Sequence, residues 1–431
     1  MKNQNKKGFT IVELVIVIAV IAILAAVLIP TFVGLVDKAN RSADQQAVNQ
    51  MNKALAMNDA LEGTDNILDV FEALEEAGMS AKNYKPLAKD MYFFYDAELK
   101  KVLYVDKTMK VVAPEEHKDL TNTGRTWLSL TQTIETKAPA DYKAGAGVSV
   151  TVASGAEMLY VLEDIEKGNT TKATIIIPEE GIDMMGASFG ITEVKTDITI
   201  SGEGDTPAVI KNATSVDTGF YGDGVTPGHD GQYFVSLFGS LVNGKKLTIE
   251  NVVFENVHVK NTHTSGVGIL VSNIEHNSTL TLKNVTIKNS SVVGHRNTGA
   301  IAGYINTTCD AIVVEGTLAL ENVDVKTVGG RSGLLIGCTS NTTIDTYDSL
   351  KSLKTASITV DADCSYTLYD CEQNTGDELG LQADGITVKS WYYDGENKRI
   401  DKEYNFVEKA LVMKGNEAKN DLINTIVGWN D

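Results

Sequence analysis

Positive charge is in short supply. The 431 residues hold 38 Lys and Arg against 57 Asp and Glu, a formal charge of −19. A surface that acidic repels nucleic acid and anionic lipid heads, so neither is expected as a partner. Cysteine is scarce too: Cys309, Cys338, Cys364 and Cys371 are the four in the chain, and all fall in the last third. An even number outside the cytoplasm permits two disulfides, and Cys364 and Cys371 are close enough in sequence to bridge one loop. Buried free thiols are the alternative. Five of the six histidines, His229, His258, His263, His276 and His295, fall in the second half. None has zinc-ligand spacing with another His or Cys, so no metal and no cofactor is expected.

What the chain does have is a long apolar run at its start. Lys6-Lys7-Gly8-Phe9 is followed by one acid, Glu13, and then no charge from Leu14 to Ile29. That run is long enough to cross most of a bilayer as a helix. A carboxylate at its edge is costly and marks function. A secretory signal peptide fits less well, since its apolar core is shorter and ends at a small-residue cleavage site. Here apolar residues continue through Val33, Leu35 and Val36. A basic leader before the run and an acidic chain after it place the leader in the cytoplasm and the bulk outside.

The stretch resembles the N-terminus of type IV pilins and pseudopilins, over about the first 55 residues. The resemblance implies processing by a prepilin peptidase between Gly8 and Phe9, with Lys6 and Lys7 in the leader. Phe9 would become the methylated N-terminus, Glu13 the fifth mature residue and Pro30 the twenty-second. In that family the acid at Glu13 pairs with the N-terminal amine of a neighbouring subunit. The implied partners are the peptidase, other pilin subunits in a helical filament, and the cytoplasmic membrane before assembly. Loss of three leader lysines and no acid would take the formal charge from −19 to −22.

Helical spacing continues after Pro30 through Val36, Ala39, Ala43, Ala47, Met51, Leu55 and Met57, with Gly63 as the stop. One helix from Phe9 to Glu62 would run about 80 Å. Asp65 to Gly78 reads as a short helix with Ile67, Phe71 and Leu74 inward. Met91–Tyr95 and Lys101–Val105 read as a β-hairpin joined by Asp96–Lys100. Thr121–Val148 is poor in apolar residues after Leu130 and reads as a linker.

The second domain opens with Ser154-x-x-Glu157, a capping box before Met158, Val161, Leu162 and Ile165. The strand Ala173–Pro178 follows. Leu247-Thr-Ile-Glu-Asn-Val-Val-Phe-Glu-Asn-Val-His-Val then recurs from Leu280 and from Leu318, each copy followed by a Gly-started apolar strand. Such periods signal a solenoid, and the whole resembles bacterial parallel β-helix surface domains. On this alignment Asn251, Asn284 and Asn322 share one position, able to hydrogen-bond in a ladder. Glu250, Lys283 and Glu321 form one charge row, and Glu255, Lys288 and Lys326 another. The acids alternate with lysines and no acid pair recurs, so no glycosidase-like site is expected and the chain is read as a non-enzyme.

The expected architecture is an α+β pilin-like part, a long helix plus small antiparallel sheet, followed by an all-β parallel solenoid. The boundaries are 1–8 leader, 9–36 membrane or filament-core helix, and 37–137 amphipathic helix with small head. Residues 138–147 follow as linker, 148–370 as β-helix with a cap helix, and 371–431 as C-terminal cap. Leu422, Ile423, Ile426 and Trp429 fit a short amphipathic helix in that cap. Candidate ligand residues are a basic edge of His263, Arg296 and Arg331, and the surface aromatics Trp391, Tyr392 and Tyr393. A surface glycan or a protein is the expected ligand. The function expected is a minor or tip subunit of a type IV pilus or pseudopilus, displaying an adhesive module at the cell surface. A pseudopilin that recognises cargo for secretion or DNA uptake is the runner-up, and a surface-tethered polysaccharide-active enzyme comes third.

Overall fold

The computed structural model describes residues 11–59, 66–79, 84–217, 236–307, 310–328, 333–339, 357–361, 363–366, 376–378, 388–393, 399–407, 411–414 and 425–428. Helix α1 (Ile11–Asp59) is one unbroken element of 49 residues that carries Pro30 inside it. At 1.5 Å per residue it is about 73 Å long. Its first half is open: every large apolar side chain from Ile11 to Val36 is exposed. Its second half docks through Asp44, Val48, Met51 and Leu55, which are buried at helical spacing. The expected docking stripe is therefore shifted, since Val36, Ala39, Ala43 and Met57 are exposed.

Polar clamps at Asp44 and Asn52 help fix α1 to the head. The buried Asp44 carboxylate accepts the Leu87 and Ala88 N–H groups at 2.8 and 3.0 Å and the Tyr104 hydroxyl at 2.8 Å. Asn52 closes a two-way bond with Val102, donating to its carbonyl at 3.0 Å and accepting its N–H at 2.7 Å. Burial and the Asp44 charge push the Tyr104 hydroxyl well up. It stays a donor, which a buried carboxylate needs.

Helix α2 (Ile67–Glu76) is started by Asn66, whose side chain accepts the Leu68 and Asp69 N–H groups while Asp69 reaches back to the Asn66 N–H. It buries Ile67, Phe71 and Leu74 as expected. Strands β1 (Met91–Asp96) and β2 (Lys101–Asp106) form the expected hairpin, paired Met91 to Asp106 through Asp96 to Lys101. With β3 (Val111–Ala113) and β4 (Trp127–Ser129) they make a sheet of order β3-β2-β1-β4. Strand β4 lies inside the stretch that composition assigned to a linker. It is held by Asp96, fully buried, which accepts two bonds from Arg125 at 2.7 and 2.6 Å and the Trp127 indole N–H at 2.8 Å.

The rest of that stretch is pinned along its length. Gln132 brackets the Val216 backbone, donating to its carbonyl at 2.9 Å and accepting its N–H at 2.7 Å. The Ser129 N–H reaches the Met185 carbonyl, and the Lys137 N–H the Ala156 carbonyl. Tyr142 bonds Thr170 at 2.7 Å and packs edge-on against Tyr160. Polarity alone misses this because the segment satisfies its backbone on two neighbours rather than on itself.

Beyond it the chain is β-rich, with parallel sheets. Ser154 caps α3 (Gly155–Glu166), accepting the Glu157 N–H at 3.3 Å. Glu157 reaches one residue past the cap, to the Ala153 N–H at 2.8 Å, so half of the expected box forms. The largest sheet runs Ser149–Thr151, Ala173–Ile177, Ile198–Gly202, Lys246–Glu255, Thr279–Gly299, Ile312–Thr327, Ser357–Asp361 and Leu411–Lys414, all parallel neighbours. Alternate residues such as Leu247, Ile249, Val252 and Phe254 are buried and form one apolar core with their counterparts.

The first two repeats stack in the expected register, Leu247 on Leu280. The third is corrected. Leu318 stacks on Val285, and it is Ile312 that stacks on Leu280. The reason is a sub-period of five residues. Leu247-Thr-Ile-Glu-Asn and Val252-Val-Phe-Glu-Asn are two near-copies, so an alignment slips by one unit unnoticed. These units end in a residue at positive φ: Asn251, Asn256, Asn284, Asn289 and Asn322, with Gly316 closing the unit that starts at Ile312. Asparagine tolerates that left-handed corner better than other residues with a side chain. The ladder runs one corner over from the expected one. Asn322 donates to Asn289 at 3.0 Å, Asn256 to Asn212 at 2.6 Å, and Asn212 to Asp183 at 2.9 Å. The charge rows change with it. Glu250, Lys283 and Glu315 form one and Glu255, Lys288 and Glu321 the other, with Lys283–Glu250 at 3.8 Å and Lys288–Glu255 at 3.2 Å. Lys326 leaves the second row, because it pairs with Val293.

A second sheet holds parallel strands from Glu193–Val194 to Ile336–Thr339 and antiparallel ones beyond them. The tail adds a strand, Thr425–Gly428, antiparallel to Arg399–Val407; of the residues expected in a tail helix, Ile426 lies on this strand, and Leu422, Ile423 and Trp429 lie outside the described residues. Thr425 and Val427 are β-branched, and pairing satisfies their backbone as a lone helical turn would not.

Candidate functional site

Two surfaces carry chemistry. The first is the exposed half of α1. Its most apolar 18-residue window has a mean hydropathy of 3.3 and no buried residue. Glu13 sits in the first helical turn and is the one charged residue from Ile11 to Val36. Pro30 offers no N–H to the turn before it. The Thr31 hydroxyl next to it donates to the Val27 carbonyl at 3.0 Å. A helix this apolar all round is stable in a bilayer or against other apolar helices, and not in water. Lys6, Lys7, Gly8 and Phe9 lie outside the described residues.

The second is a cleft of about 590 Å³ between α2 and the parallel strands, and it includes His263. The α2 wall presents Asp69, Glu72 and Glu75, one face of the helix. The opposite wall presents Lys260 and Lys326, with Val293 between them in register. Below the cleft, Val216 and Val293 pack into the head's apolar core. The sheet wall pairs some of its own charges: Lys326 with Asp324 at 2.7 Å, and His263 with Asp217 at 3.4 Å. The Asp324 bond raises the Lys326 amine. Glu75 keeps a solvent-exposed side chain, yet desolvation at the cleft raises its carboxyl, opposed by the Lys260 charge across the gap. His258, beneath this wall, is buried between Ser291 and Asn256, each at 2.8 Å, and burial lowers it to about 4.

The expected basic edge is not aligned as the repeats implied. Arg296 pairs with Ser265 because the register shifts between Asn261 and Ser265, which sets His263 off that rung. Arg331 lies outside the described residues. Trp391, Tyr392 and Tyr393 lie on the strand Val388–Tyr393, which pairs antiparallel with Arg399–Val407. Cys364 is buried with its sulfur accepting the Val323 N–H at 3.4 Å, and it has no disulfide among the described residues. Cys371 lies outside them. Glu72, Glu75 and Lys260 were not singled out from sequence. They come from distant segments, and the signal available was the carboxylate spacing on α2.

Residues 3–29 match the family described as the prokaryotic N-terminal methylation motif. Over 37 residues the chain is 62% identical to the type IV wide pilus major component PilA4 of Thermus thermophilus, which is 9% of this chain and 28% of that protein. No solved structure matches. The N-terminal segment is therefore type IV pilin-like, a methylation motif running into one long apolar helix.

Proposed function

We propose that the chain is a structural subunit of a type IV pilus or pseudopilus, cut between Gly8 and Phe9 and built into a filament through α1. The observation that carries this reading is the division of α1. A methylation motif leads into an exposed apolar half, and the same helix then docks into a small head. The parallel strands, with their stacked asparagine corners, fit a β-helical module that binds a surface glycan or protein. A module this large on every subunit would crowd a helical filament, which favours a minor or tip position and an extracytoplasmic C-terminal domain. Its acids alternate with lysines in stacked rows, which fits binding rather than catalysis.

The test is Glu13→Val. The variant should insert in the membrane and be cleaved normally, but be recovered from sheared filaments at a small fraction of the unaltered level. Normal recovery would refute the assembly role.

A further inference from the structure

We propose that the cleft between α2 and the parallel strands binds a ligand pairing a primary ammonium with a carboxylate, as a basic amino acid or a lysine-ended peptide does. The inference goes beyond the filament reading and does not depend on the fate of α1.

Three observations converge. First, the volume of about 590 Å³ falls in the range of small-molecule sites, and the cleft lies where two parts of the molecule meet. Second, the α2 wall carries Asp69, Glu72 and Glu75, the opposite wall carries Lys260 beside the pairs Lys326–Asp324 and His263–Asp217, and the two walls do not close on each other. Glu72 and Glu75 on α2 face Lys260 across the gap, yet no ion pair joins either acid to Lys260 or Lys326 among the described residues. Opposite charges held near each other but apart leave room for a group that satisfies both. Third, the cleft is braced and not a loose seam. Gln132 brackets Val216, and Val216 and Val293 pack into the head core below the opening. The walls are thus held at their separation, which lowers the ordering cost of binding.

The chemistry of the walls selects the ligand. An ammonium donates up to three hydrogen bonds and suits two carboxylates spaced along one helix face. A carboxylate suits the Lys260 amine. A simple cation leaves Lys260 unanswered and repelled, and a simple anion meets the α2 acids. A molecule bearing both groups answers the α2 acids and Lys260 together, while Asp217 and Asp324 on the sheet wall pair with His263 and Lys326.

Titrating the full chain in detergent micelles with 6-aminohexanoate, cadaverine and hexanoate by calorimetry tests this. 6-Aminohexanoate should bind saturably and at least tenfold more tightly than the two compounds lacking one group. Lys260→Met should weaken it at least tenfold, as should Glu72→Gln combined with Glu75→Gln. Glu76→Gln, on the same helix but outside the cleft lining, should leave it unchanged. Acetyl-glycyl-lysine and free L-lysine distinguish the sources; tighter binding of either supports the site and names which. No saturable binding of any of these probes, equal binding of cadaverine, or unchanged affinity in the Lys260 and α2 variants would overturn the proposal.

Discussion

The head and the parallel strands are held together by different means. The head depends on a few buried polar clamps: Asp44, Asn52 and Asp96 each satisfy several groups at once. The parallel strands depend on repetition. The same buried apolar positions and asparagine corners recur from one strand layer to the next, so each contributes a share. Single changes should therefore be severe in the head and modest in the repeats.

The largest effect is expected at Asp96. Its carboxylate is fully buried against Arg125 and Trp127, and removing one partner of a buried pair costs about 3–5 kcal/mol. Asp96→Ala should lower head stability by that order in denaturant unfolding, and lose the β4 edge first. A cost under about 1 kcal/mol would break the comparison.

The two regions should also part with pH. His258 in the parallel strands is held at about 4, below its ordinary value of about 6.5. The unfolded chain therefore binds the proton first. Stability is lost as pH falls from about 6.5 to 4. In the head, burial opposes ionisation of Asp96, but bonds from Arg125, Leu99 and Trp127 outweigh it and lower its carboxyl. That stabilisation is complete above the ordinary carboxylate value of about 4 and is lost only as pH falls through the lower folded value. Hydrogen exchange at stepped pH should show the parallel strands loosening first, and His258→Gln should remove the early step. Simultaneous loosening of both regions would contradict the assignment.

A smaller change is expected at the corners. Asn256 has φ of 54° and donates to Asn212. Asn256→Ala should cost about 1–2 kcal/mol, the strain of a left-handed residue with a Cβ. Smallest of all, Glu255→Gln should cost under about 1 kcal/mol, because its pair with Lys288 is partly exposed.

Local periodicity made much of this fold readable. The long helix, α2, the β1–β2 hairpin and the first stacked repeats follow from spacing that each segment carries within itself. What sequence misplaced depends on distant partners. The third repeat slipped by five residues because one unit looks like the next, and the stretch after Leu130 looked unstructured because its bonds go to Val216, Thr170 and Ala156. The charged cleft was hidden for the same reason, since α2 and Lys260 meet only in the folded chain. The apolar start was legible as an anchor because its chemistry is contained in consecutive residues.

The proposed filament role requires that start to be processed as a pilin-like segment. Mass spectrometry of the N-terminal peptide from surface-exposed protein tests it most directly. The peptide should begin at Phe9 and carry a methyl group on its amine. A peptide that begins at Met1, or one that begins after Ala25, would contradict it.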